Sequence, residues 1–191
     1  SAVTEKGQTW TVKAYTTDGT LQSMPSIATV IVLNSPPVIG SVVRAPESPL
    51  VSDDLVVEAV NVSDSDGDEV TLIHKWFING EEAIEYEGWT TIPASETQKN
   101  QTWLAQVIPN DGEENGPIHE VQFDIGNTAP VINSVSFNTT EVYEDTILQA
   151  QIDWEDVDGD ALTFEYTWMV NNIDIFVNDN VLTGDYFSKG D

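Results

Sequence analysis

Apolar and polar residues alternate along most of this chain, and Asp-Gly and Pro signals cut the alternation into short pieces. Trp10, Val12 and Ala14 fall on one face, the turn signal Asp18-Gly19 follows, and an apolar run goes from Ile27 to Leu33. The same order returns as Trp103, Ala105 and Val107, then Asp111-Gly112, then Val121, Phe123 and Ile125. A period of two bounded by turn residues predicts strand, tight turn, strand. Between these hairpins the pattern predicts strands at 38–44, 55–62, 70–78, 81–86 and 89–93, followed by 101–108 and 119–125, with no helical period. Seven short strands with turns between them predict an antiparallel β-sandwich.

The pattern also repeats. Asp64-Ser65-Asp66-Gly67-Asp68 returns as Asp156-Val157-Asp158-Gly159-Asp160, and each acidic loop feeds a strand-like run, Val70–Asn79 or Leu162–Asn171, with Trp76 or Trp168 in its middle. A period of about 92 residues is the mark of a tandem array. Asn34-Ser35-Pro36-Pro37-Val38-Ile39 and Asn127-Thr128-Ala129-Pro130-Val131-Ile132 are the expected seams, because proline cannot donate to a sheet ladder and stiffens the residue before it. The expected organisation is all-β. Residues 1–34 form the C-terminal part of one module, 35–128 a complete module, and 129–191 the N-terminal part of another. Ser188-Lys189-Gly190-Asp191 match Glu5-Lys6-Gly7-Gln8, so the end of the chain reaches the point where its beginning takes over. The two part-modules are complementary, and each leaves strand edges and an apolar face that water tolerates poorly, so the chain is expected to be either a segment of a longer array or a unit completed by other copies.

Composition narrows the partners. Six Lys and Arg against 33 Asp and Glu give a formal charge of −27, which excludes nucleic acid and anionic membrane surfaces and favours cations. With 40% apolar residues and six Trp the chain is not a disordered acidic tail. It has no Cys, hence no disulfide, thiolate metal site or Cys nucleophile. No apolar run is long enough to span a bilayer and Ser1 opens no signal-peptide pattern, so any targeting or anchoring segment is expected elsewhere. Asn61, Asn100 and Asn138 stand in Asn-x-Ser/Thr sequons and are candidate glycosylation sites.

The acidic loops carry the chemistry. Three carboxylates on alternate positions, with a glycine that lets the loop curl, offer the hard oxygen ligands that Ca²⁺ takes. An EF-hand is excluded, since its twelfth position needs Glu and finds Lys75 or Thr167. In a sandwich of this kind the turn of the last hairpin lies at the same end, which adds Asp111 and Glu113 to Asp64, Asp66 and Asp68 as candidate ligands, with Asp156, Asp158 and Asp160 in the second copy. Solvated Asp-Gly turns are the competing reading; the triple Asp in both copies favours the metal. His74 shares a face with Leu72 and Trp76 and is expected in the core, as are Trp10, Trp76, Trp103 and Trp168, while Trp89 and Trp154 do not recur as Trp. No Ser/His/Asp set, zinc spacing or phosphate loop occurs, so no enzyme is expected.

Taken together, Pro-Val-Ile, the DxDGD loop, the Trp-x-x-Asn strand, Lys-Gly/Asn-x-Thr-Trp and Asp-Gly resemble the tandem immunoglobulin-like and cadherin-like repeats of large bacterial and archaeal surface proteins. The resemblance implies extracellular, cell-surface, calcium-binding, structural or adhesive modules. Without the inter-sheet cysteines, only the sandwich carries over from antibody-type domains. The expected function is a calcium-stiffened repeat of a fibre, surface layer or adhesin stalk, with other copies or adjacent modules as head-to-tail partners joined by strand complementation. A glycan- or receptor-binding module and an accessory region of a secreted enzyme are the alternatives.

Overall fold

A computed structural model describes residues 4–186. The match of Ser188–Asp191 with Glu5–Gln8 therefore lies outside the described residues. The chain divides into two compact units, residues 1–49 with 53–126, and residues 50–52 with 127–191. Among the described residues there is no α-helix, and no helix long and apolar enough to cross a membrane.

The first unit opens with a hairpin of β1 (Thr9–Ala14) and β2 (Ser26–Ile31), paired antiparallel from Thr9↔Ile31 to Ala14↔Ser26. A sandwich follows, formed by β3 (Val38–Ala45), β4 (Leu55–Ser63), β5 (Thr71–Ile78), β6 (Glu81–Glu82), β7 (Thr91–Ile92), β8 (Thr102–Asn110) and β9 (His119–Asp124). One sheet runs β3-β4-β7 and the other β6-β5-β8-β9. This is an immunoglobulin-like, all-antiparallel sandwich, and the seven strands stand where the alternation puts them. The stretches at 81–86 and 89–93 shrink to two-residue strands separated by a 3₁₀ turn at Ile84–Tyr86. The reason is topological. Gly80 and Gly88 both take positive φ; between them the chain stays bonded to β5, up to the Gly88 N–H on the His74 carbonyl at 2.9 Å, and beyond Gly88 it crosses to pair with β4 in the opposite sheet.

The core sits between the sheets. Trp76, Trp103, Phe123, Leu55, Ile92 and Val107 are fully buried. Trp76 meets Trp103 edge-on at 6.1 Å and stacks on Phe123 at 6.0 Å, geometries that add about 0.5–1.5 kcal/mol per pair beyond burial. Trp76 Nε1 donates to the Trp89 carbonyl at 2.9 Å and Trp103 Nε1 to Gln101 Oε1 at 2.9 Å, so neither indole is left without a partner. His74 is buried as expected, and burial pushes its pKa below the ordinary value, keeping the imidazole neutral at pH 7. Trp89 is 44% exposed, with Tyr86 against it at 5.5 Å.

Tyr86 offers a probe of this packing. Its hydroxyl donates to Glu96 Oε2 at 2.8 Å, and that bond, with burial and the Glu96 charge, pushes its pKa up to about 12. A raised value stabilises the fold fully below the unfolded pKa of about 10 and loses that contribution as pH climbs towards 12. In an absorbance titration one of the five tyrosines should ionise late, and Tyr86→Phe should delete that step alone. Uniform ionisation near pH 10 would place the hydroxyl away from Glu96.

In the second unit, β10 (Val131–Phe137), β11 (Leu148–Glu155) and β14 (Val181–Leu182) form one sheet, and β12 (Met169–Val170) pairs with β13 (Ile173–Asp174). These repeat β3, β4, β7 and the end of β5 with β6. Trp168 Nε1 donates to the Asp179 carbonyl at 2.7 Å as Trp76 does to that of Trp89. The expected strand Leu162–Asn171 is only partly realised. Residues 161–168 alternate between exposed and half-buried, as a strand does, yet belong to no ladder. In the first unit the ladder partner is β8, and no counterpart of β8 exists among the described residues of the second.

Candidate metal centre

The first acidic loop links β4 to β5, which carries the buried Trp76, and the second links β11 to the unladdered stretch 161–168 that ends on the half-buried Trp168; both fold around their first aspartate. Asp64 Oδ1 accepts the backbone N–H of Asp66 at 2.7 Å and that of Asp68 at 3.3 Å; Asp156 Oδ1 accepts that of Asp160 at 2.8 Å. Gly67 and Gly159 take positive φ, which lets these short turns close. As a result each loop offers three carboxylate oxygens within 4.8 Å of one another, from Asp64, Asp66 and Asp68 and from Asp156, Asp158 and Asp160.

The middle aspartate of each loop grips the seam before it. Asp66 Oδ2 accepts the Ser35 N–H at 2.7 Å, and Asp158 Oδ2 accepts the Thr128 N–H at 2.6 Å. Asp64 Oδ2, Asp156 Oδ2, Asp158 Oδ1 and Thr128 Oγ1 are buried atoms with no hydrogen-bond partner. A buried carboxylate oxygen facing other carboxylates is costly without a positive partner. The same donor set, hard oxygens on a flexible loop, suits Ca²⁺.

The last-hairpin residues meet the first loop through two intermediaries. Lys6 Nζ bonds Asp68 Oδ2 and reaches Glu113 Oε1 at 2.9 Å, while Asn34 Nδ2 donates to Asp111 Oδ2 at 2.8 Å. Asp111 Oδ1 also caps its own turn, accepting the N–H groups of Glu113 and Glu114 at 2.8 and 2.7 Å. The Asn34 amide and then these N–H groups hold its pKa down to about 2, so it is a carboxylate at any physiological pH. Gly116 lets the seam lie close to this hairpin, since a Cβ there would stand 1.9 Å from the Pro37 carbonyl oxygen. Asp111 and Glu113 are thus tied to the loop's end of the sandwich, outside the tight triad.

Lys6 and Asn34 are the residues that the strand pattern does not single out. Their recurrence as Lys99 and Asn127 is the signal that could have found them. The sequon residues Asn61, Asn100 and Asn138 are all exposed, the first two at positive φ; Asn138 spends its amide on the Ile147 carbonyl at 3.0 Å.

No family model matches the chain, and no curated protein matches it. A solved structure of chicken CNTN1 domains FN1–FN3 aligns over 78% of this chain with 13% identity and a TM-score of 0.37, and this chain spans 54% of that one's length.

Proposed function

We propose that the chain is a structural repeat of an extracellular fibre, surface layer or adhesin stalk, in which modules join head to tail by strand complementation and calcium stiffens the seams. One paired observation carries the reading: the β1–β2 hairpin repeats β8–β9 bond for bond but with its apolar face open, while residues 161–168 have the form of a strand without its neighbour. Trp10 Nε1 donates to Gln8 Oε1 at 3.1 Å as Trp103 donates to Gln101, and the Gly7–Val32 backbone bond of 2.9 Å matches that of Asn100–Ile125. Asp18 accepts from Thr20 and Leu21 as Asp111 does from Glu113 and Glu114. Yet Trp10 is 47% exposed where Trp103 is fully buried.

The repeat also supplies the register. In the β5–β8 ladder Trp76 pairs with Ala105 and Ile78 with Trp103. Transferred to the second unit, the register sets Trp168 against a residue in the place of Val12 and Val170 against one in the place of Trp10, supplied by another copy or by an adjacent module of a longer chain. Such a heterologous contact does not close on itself and builds a filament. The buried carboxylate oxygens in both loops support calcium as the stiffening ion.

Negative-stain imaging and light scattering of the full chain, in EDTA and in millimolar calcium, test the reading. Ordered fibres are expected, lost in Trp10→Glu while the first unit stays folded. Monodisperse particles of single-chain mass in both conditions would overturn self-assembly.

A further inference from the structure

The first acidic loop already holds a cation, and it is the protein's own. Lys6 lies just ahead of β1, yet its Nζ reaches across the unit to Asp68 Oδ2, to Glu113 Oε1 at 2.9 Å and to Asn34 Oδ1 at 3.0 Å. An ammonium has three donors, and here each has an acceptor. The side chain is only 25% exposed. Both carboxylates stabilise its charge and hold its pKa above the ordinary lysine range, so the group acts as a cation and offers no lone pair as a nucleophile.

We infer that Lys6 is a tethered competitor for the metal position at the Asp64–Asp68 loop: its ammonium holds Asp68 and Glu113, and a divalent cation must displace it from Asp68 to be ligated there. The inference rests on the calcium reading and adds a control to it. Asp68 shares its triad with Asp66 and Asp64, whose ligand atoms lie within 4.8 Å, so ammonium and metal draw on the same oxygens. A metal seated among these oxygens would stand about one ion-pair distance from the ammonium, and like charges that close repel even in water. Binding therefore releases the grip of Lys6, and with it one tie between the hairpin and the loop. The loop's affinity is set by that exchange as well as by its aspartates. In a chain of net charge −27, which attracts cations over its whole surface, a lysine placed here restricts entry to ions that outcompete it.

Calorimetric titration with calcium chloride tests this in the full chain carrying Asp156→Asn and Asp158→Asn, which silence the second loop. Lys6→Met keeps the length and removes the charge, and calcium should then bind about tenfold tighter. Lys6→Arg keeps the charge and should leave the affinity near that of its parent. Equal or weaker binding in Lys6→Met would overturn the inference, showing that Lys6 supports the site rather than contesting it. Loss of calcium binding from parent and Lys6→Met alike would overturn the calcium reading of this loop, and the inference with it.

Discussion

Trp103→Ala should destabilise the first unit by about 3–5 kcal/mol, while Trp10→Ala, the same residue of the same repeat, should cost a small fraction of that. The pair is a controlled comparison within one chain. Each tryptophan opens the first strand of a hairpin, and each indole donates to a glutamine two residues before it, at 2.9 Å to Gln101 and 3.1 Å to Gln8. Only the cover differs. Trp103 is closed over by Trp76 at 6.1 Å and Tyr86 at 5.4 Å, and its deletion leaves a cavity that two sheets cannot collapse to fill. Trp10 keeps half its surface in water and already lacks most of the contacts that truncation would remove. Urea denaturation followed by circular dichroism measures both. Equal losses would mean that the Trp10 face is covered in solution, and if those losses also depended on protein concentration, the cover would be another copy. A loss near zero at Trp103 would contradict the register of β8.

What was legible in the sequence follows from what strands require locally. A half-buried strand writes its facing into every second residue, so Trp103, Ala105, Val107 and Phe123 announced themselves, and Asp-Gly turns marked the hairpin ends. The grouping of Asp64, Asp66 and Asp68 was legible for the same reason: three carboxylates on one short turn cannot be far apart. The strands at 81–86 and 89–93 were overextended because their lengths depend on which sheet offers an edge, a tertiary fact. Leu162–Trp168 shows the opposite case, with full alternation in sequence and no ladder, since a ladder is a property of two segments. The clamp made by Lys6 and Asn34 was hidden because a long side chain can reach any point within its radius; only its recurrence in the next repeat hinted at a fixed destination.

Millimolar calcium should raise the melting temperature of the wild-type chain by on the order of 10 °C at constant ionic strength, and the double variant Asp66→Asn, Asp158→Asn should lose that rise. The size follows from linkage. A ligand that binds only the folded state at about 100 times its dissociation constant adds about 2.7 kcal/mol, and about 1 kcal/mol moves the midpoint of a domain of this size by about 4–8 °C. Asparagine keeps an oxygen to accept the Ser35 and Thr128 N–H groups, now 2.7 and 2.6 Å from the aspartates, so the seam keeps its hydrogen bond and only a ligand charge is removed. Holding ionic strength fixed matters here, because a chain of net charge −27 gains stability from any salt that screens its self-repulsion. Magnesium gives the second control, since it demands tight octahedral geometry and keeps its waters, so a loop built for calcium should respond to it weakly. A calcium-induced rise that survives in the double variant would locate the binding elsewhere on the acidic surface. Without any rise in the wild-type chain, the loops would be solvated Asp-Gly turns, and the buried oxygens of Asp64, Asp156 and Asp158 would have to be satisfied by water.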